Sequence, residues 1–173
     1  MSAPSQRLSA VVTTFDNADT IERCLRSVGF CDEIVVLDSG STDGSVAAAQ
    51  AAGAEVVALD MAVPFTAARA RNAGFARLQA LGGAEFAQFV DGDCKVQPGW
   101  LPAAAAFLDA HPEAAVVCGR RREIHPEASI WNRLCDAEWD TPVGPAKACG
   151  GDALMRVEAL AAVLADDVWG VVD

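Results

Sequence analysis

Two hydrophobic rhythms alternate along the chain. Short unbroken apolar blocks suit strands covered on both faces. Each is followed by a stretch whose apolar residues recur every three or four positions, as on one side of a helix. Leu8 to Thr14 is the first block, rich in β-branched residues, and Phe15-Asp16-Asn17 turns the chain out of it. Ile21, Cys24, Leu25 and Val28 then fall at i, i+3, i+4 and i+7, a helical face stopping near Gly29, with Asp19 and Glu22 in the form of a capping box. Glu33 to Asp38 is a second strand, Ser45 to about Ala52 a second helix with Gly53 as its stop, and Glu55 to Leu59 a third strand. A third helix runs from Phe65 to about Leu81 and closes at Gly82-Gly83, and the apolar run from Glu85 ends in Asp91-Gly92-Asp93. This alternation predicts an α/β domain built on a mostly parallel, Rossmann-like sheet with helices on both faces.

Beyond the acidic doublet the pattern loosens. Pro98 to Pro102 opens a helix carrying Phe107 and Leu108, which His111-Pro112 ends, and Ala114 to Gly119 is a further strand. Arg120-Arg121-Arg122 reads first as a solvated turn and second as a phosphate clamp. Trp131 to Trp139 reads as an amphipathic helix whose tryptophans pack inward or, second, offer their faces as a sugar platform, and Thr141 to Pro145 as a loop. Ala153 to Met155 is a short strand and Val157 to Leu164 a last helix. His111 and His125 each precede a proline and take no catalytic role.

The whole of 173 residues is the length of one domain. A formal net charge of −11 sets its field against nucleic acid and anionic lipid surfaces. Six cysteines without a Cys-x-x-Cys pair read as reduced, mostly buried thiols of a cytoplasmic protein, and no run is long enough to span a bilayer.

The chemistry points to the end of the fourth strand. Ligands of open α/β sheets sit beyond the carboxyl ends of strands. Two carboxylates about 4 Å apart repel by roughly 4 kcal/mol at an effective dielectric near 20. A hard cation, Mn²⁺ or Mg²⁺, would offset that repulsion and share its shell with a substrate phosphate. Gly92 is expected to let the backbone turn tightly enough for Asp91 and Asp93 to converge. Asp-Gly is also a plain turn signal, and Asp38 can equally be a strand-end cap or a reader of a ribose or base. No glycine stands in Thr13-Thr14-Phe15-Asp16-Asn17-Ala18, which excludes a dinucleotide fingerprint there.

Four blocks in order, S-x-V-V-T-T-F-D-N, E-I-V-V-L-D-S-G-S-T-D-G-S, A-R-A-R-N-A-G and F-V-D-G-D, resemble the family 2 glycosyltransferases of GT-A fold over about residues 8 to 160. The resemblance implies a nucleotide-sugar-binding half at 8–93 and an acceptor-side half at 94–173, incomplete at its carboxyl end. It implies that Thr14 and Asp16 line the nucleotide pocket, that Asp38 holds the base, usually uracil, and that Arg71, with Asn72, faces the nucleotide. Asp91 then faces the ribose and joins Asp93 at the metal, Mn²⁺ or Mg²⁺, on the diphosphate. Gly150, Gly151 and Asp152 border the acceptor side. The expected reaction is inverting transfer from a nucleoside-diphosphate sugar to a glycan or lipid-linked acceptor of the cell-envelope or exopolysaccharide kind, by a protein whose membrane contact is at most peripheral.

Family members carry a later acidic pair as base, and this chain reaches Asp173 about where that pair would begin. Asp152 is therefore the first choice of base among Asp152, Asp166, Asp167 and Asp173, in a chain expected to be a fragment that binds donor and transfers slowly. A nucleotidyltransferase and a non-catalytic nucleotide-sugar-binding module are the alternatives.

Overall fold

The computed structural model describes residues 8–146, 149 and 151–165. Gly150, Asp166, Asp167 and Asp173 lie outside them. Six strands form one sheet in the order β3-β2-β1-β4-β6-β5, and β1 (Leu8–Thr14), β2 (Glu33–Asp38), β3 (Glu55–Ala58) and β4 (Phe86–Asp91) run parallel. Between and after them come α1 (Ile21–Ser27), α2 (Ser45–Ala51), α3 (Ala67–Ala80), α4 (Trp100–Ala110), β5 (Val116–Cys118), α5 (Ile130–Glu138), β6 (Ala153–Arg156) and α6 (Val157–Ala165). The expected α/β architecture is present, with β6 as its antiparallel member.

Both faces of the sheet are covered, and strand alternation divides the core between them. Ala10, Val12, Val36, Phe86 and Val90 pack with Ile21 and Leu25 of α1, Ala49 of α2 and Leu101 and Leu108 of α4. Val11, Val35, Leu37, Ala87 and Phe89 meet Phe75 and Leu78 of α3 and, more peripherally, Leu160 and Leu164 of α6. Each such large apolar side chain contributes about 1.5–3 kcal/mol by leaving water. Helix α3 comes closest to the sheet at Gly74, where an added Cβ would lie 2.4 Å from Leu37 Cδ2 and 2.5 Å from Val11 Cγ1. Both neighbours are themselves fully buried. Gly74→Ala is expected to overpack this contact and cost about 1–3 kcal/mol. Calorimetric melting should show a loss of roughly 3–10 °C, and an unchanged melting temperature would mean that α3 rides higher.

Local starts differ from the expected ones in informative ways. The N-cap of α1 is Thr20 with no side-chain cap, so Asp19 and Glu22 form no capping box, and Glu22 instead pairs with Arg26 one turn on. The Thr20 hydroxyl donates to the carbonyl of Gly92 at 3.1 Å, which fastens α1 to the acidic turn. Thr66 caps α3 by accepting from the Arg69 amide, so this helix starts two residues after Phe65.

The tryptophans of α5 are not core residues. Trp131 is 72% exposed, beside exposed Ile130 and Leu134, and α5 has no buried residue. The arginine run explains why the helix stays where it is. Arg122 Nε and NH2 donate to the two Asp136 oxygens at 2.8 and 3.1 Å, and Arg120 pairs with Asp140 at 3.0 Å, so the run is a set of intramolecular ties rather than a solvated turn. All six cysteines are free, but Cys24 alone is buried. Among the described residues no helix is long and apolar enough to cross a membrane.

Candidate active site

Strand register builds the site. Thr14 lies level with Asp38 across β1 and β2, and Thr13 level with Asp91 across β1 and β4, so three carboxyl ends finish in one row. Chain order reverses between β1 and β4, the place where parallel sheets open a crevice. A cleft of about 260 Å³ sits there, lined by Thr13, Thr14, Asn17, Ser39, Asp91 and Asp93 among others, with half-exposed Phe15 and Phe65 also on its wall. Because β6 runs antiparallel, its first residue, Ala153, pairs with Phe89, and the preceding Gly151 and Asp152 arrive at the same edge.

Asp91 is held and Asp93 is open. Oδ1 of Asp91 accepts from the Thr13 hydroxyl at 2.8 Å and from Arg71 NH2 at 3.0 Å. Arg71 thus offsets the charge that a cation alone was expected to offset. The Asp93 carboxylate is exposed, and its neighbour is the Cys94 thiol at 3.4 Å. Burial pushes that thiol up to about 12, so it stays protonated. Among the described residues no cluster of three or more His, Cys, Asp or Glu could close a cage around a metal. Two carboxylates on an open cleft fit Mn²⁺ or Mg²⁺, whose remaining positions belong to water and phosphate oxygen. Gly92 serves by lacking a side chain rather than by an unusual torsion: a Cβ would lie 3.0 Å from Thr14 Oγ1 and 3.1 Å from Asn17 Oδ1.

Asp38 and Asp16 are not among the residues lining the cleft and instead shape the loops beside it. Asp38 is buried, and its carboxylate accepts from the amides of Gly40 and Ser41 at 3.1–3.2 Å, shaping the turn after β2. Asp16 has φ 48°, the left-handed region that aspartate tolerates better than most residues. Its amide donates to Ser41 Oγ at 2.9 Å and its Oδ1 accepts from the Thr42 amide at 2.7 Å. Two further bonds, Asn17 amide to Ser45 Oγ and Ala18 amide to Asp43 Oδ2, complete the clamp between the first two loops. Hydrogen bonds from Ser45, and then from Ala18, hold the Asp43 carboxyl below its usual range. Asn72 is exposed on α3 and is not among the residues lining the cleft.

Sequence reasoning missed Thr13, the Arg71–Asp91 pair and this loop clamp. The signal for the clamp lies in the Ser-Thr-Asp-Gly-Ser block, whose side-chain oxygens accept from the amides of the first loop. Asp152, just ahead of β6, has Oδ1 3.8 Å from Arg121 Nε. Burial pushes its carboxyl above the ordinary range, Arg121 works against this, and Asp91 adds to it. A second cleft, about 290 Å³, lies at the opposite end of β4 around Glu85 and Arg156. Arg156 is committed there to the carbonyls of Ala114 and Leu108, so the convergent chemistry belongs to the first cleft.

The fold has relatives among solved structures. The M. tuberculosis glucosyl-3-phosphoglycerate synthase in complex with uridine diphosphate superposes with a TM-score of 0.63 at 25% identity, covering 90% of this chain and 58% of that one. The same synthase with Mn²⁺ and UDP-glucose gives 0.62 at 24% identity, over 90% and 58%, a likeness of fold alone. These are glycosyltransferases of GT-A fold, and the fold here is the same. In sequence, 62 residues are 44% identical to glucosyl-3-phosphoglycerate synthase of Mycolicibacterium paratuberculosis, covering 33% of this chain and 19% of that protein. Another 40% identity over 70 residues joins it to a TPR repeat-containing protein of Synechococcus elongatus, over 40% and 17%. The chain thus spans less than a fifth of each of these two curated relatives and somewhat over half of the solved synthase. Residues 9–163, nearly all of the described sheet and its helices, match the glycosyl transferase family 2 profile, and the chain belongs to that family.

Proposed function

We propose that the protein transfers a sugar from a nucleoside-diphosphate sugar, a UDP-sugar by preference, to an acceptor hydroxyl. The carrying observation is the Asp91–Asp93 pair at the carboxyl end of β4, one carboxylate fixed and one open, beside the cleft at the reversal of strand order. Uridine diphosphate and UDP-glucose in complexes of the M. tuberculosis synthase support the donor class, and its Mn²⁺ supports a divalent ion. Asp91 and Asp93 would hold Mn²⁺ or Mg²⁺. When bound, the ion supplies Lewis acidity to the departing diphosphate.

The chain's own residues do the rest. Thr14 lines the nucleotide pocket with Asp16 shaping the loop beside it, Asp38 keeps the second turn in shape for the base, and Arg71 faces the nucleotide from α3, with Asn72 next to it on the exposed surface. Arg71 stands beside Asp91 and so adds positive charge where the leaving group collects negative charge. Asp152 takes the acceptor proton in an inverting displacement, and a glycan or lipid-linked hydroxyl is the acceptor class.

Release of UDP from UDP-glucose, UDP-galactose and UDP-N-acetylglucosamine with Mn²⁺ tests this reading. A base must be deprotonated, so the rate should rise with pH through a point above the ordinary carboxylate range and then level off. Asp152→Asn should lose that limb and about 100-fold or more in rate. Binding of UDP without release from any of the three donors would leave a binding module.

A further inference from the structure

We propose that Arg121, held over the ring of Trp139, is a positioning residue that fixes Asp152 at the acceptor side of the cleft. The proposal rests on the reading of Asp152 as base. Three consecutive arginines leave β5, and their pairings differ in kind. Arg122 grips Asp136 through two hydrogen bonds, and Arg120 pairs with Asp140 at 3.0 Å. These two ties bracket Trp139, which follows α5 directly. The Arg121 guanidinium carbon then lies 4.9 Å from the Trp139 ring centroid, and its Nε lies 3.8 Å from Asp152 Oδ1.

That longer distance is the informative one. At 3.8 Å no direct hydrogen bond forms. A forked pair like that of Arg122 with Asp136 would take one lone pair on each carboxylate oxygen and lower the basicity that a base needs. Arg121 instead supplies an attractive charge and a wall, so Asp152 is oriented without giving a lone pair to Arg121. The indole orients the guanidinium in turn, since a planar cation stacks on an aromatic face. Asp152 is mostly shielded, at 23% side-chain exposure, so a partner this near is felt through little water. The arrangement also gives a purpose to a helix that buries nothing: α5 carries Trp139 at its end and is tied down at both sides of it.

The test uses the full chain with ¹³C-labelled carboxyl groups, the Asp152 resonance being identified by its loss in Asp152→Asn. UDP release from UDP-glucose with Mn²⁺, water serving as acceptor, is followed beside it. Arg121→Gln should move the Asp152 resonance and lower kcat about tenfold, leaving KM for UDP-glucose and the melting temperature unchanged. Arg121→Lys should not restore kcat, because an ammonium lacks the flat stacking face. Trp139→Leu should reproduce Arg121→Gln, and Trp139→Phe should retain wild-type behaviour. An Asp152 resonance unmoved in Arg121→Gln overturns the proposal, as does a moved resonance with wild-type kcat. Wild-type release in Asp152→Asn overturns the underlying base reading instead, whatever Arg121→Gln does. A wild-type chain releasing no UDP overturns the catalytic reading and the positioning role with it.

Discussion

Asp93→Asn is expected to abolish Mn²⁺-dependent UDP binding while leaving the fold intact, a loss of about 100-fold or more in affinity when even the residues behind a metal's ligands cost 10–100-fold. The Asp93 carboxylate is exposed at the head of the cleft, and its neighbour is one weakly polar thiol. Removing its charge therefore strands no buried partner. Asp91→Asn should separate the two carboxylates by their side effects. Asp91 accepts from the Thr13 hydroxyl and from Arg71, so its loss disturbs both as well as the metal. That ion pair is partly exposed, at 30% and 42% of its side chains, and is worth roughly 0.2–1 kcal/mol. Titration calorimetry should show both variants deficient in metal-dependent binding, and thermal melting should show a loss in Asp91→Asn alone. Equal melting losses would mean that Asp93 has a structural partner.

Gly151→Ala is expected to disable the site from the other side. A Cβ on Gly151 would lie 2.4 Å from Asp91 Oδ2 and 2.9 Å from Arg71 NH2. The new methyl group must push the carboxylate or the segment leading into β6. Displacements near 1 Å in such constellations cost on the order of 100-fold. UDP affinity in Mn²⁺ should fall by that order, with far-UV circular dichroism unchanged. Wild-type affinity would show that Asp91 has room to move and that β6 does not seat against it.

These two sites mark what the sequence could and could not tell. The first four strands were legible because helices cover both faces, so their apolar runs are continuous and end where the carboxylates begin. Asp91 and Asp93 followed from that ending. The neighbour of Asp91 did not, because pairing of β4 with an antiparallel β6 joins residues some sixty positions apart, and hydrophobic pattern carries no strand direction. Gly92 was assigned to the right turn for the wrong reason. A glycine needed for close approach and one needed for torsion look alike in sequence. Asp19 and Glu22 had the spacing of a cap, but the first loop was already claimed by Ser41, Asp43 and Ser45 from the next one. Arg120 to Arg122 and the exposed α5 were least legible, since their order comes from paired charges at sequence distances that no periodicity announces.

The central claim is that a divalent ion joins Asp91 and Asp93 to the diphosphate of the donor. Calorimetric titration of UDP into chelator-treated protein, with and without added Mn²⁺, tests it most directly. Affinity should rise about 100-fold or more with the ion, matching the loss expected of Asp93→Asn. Equal affinity in the two titrations would contradict the account.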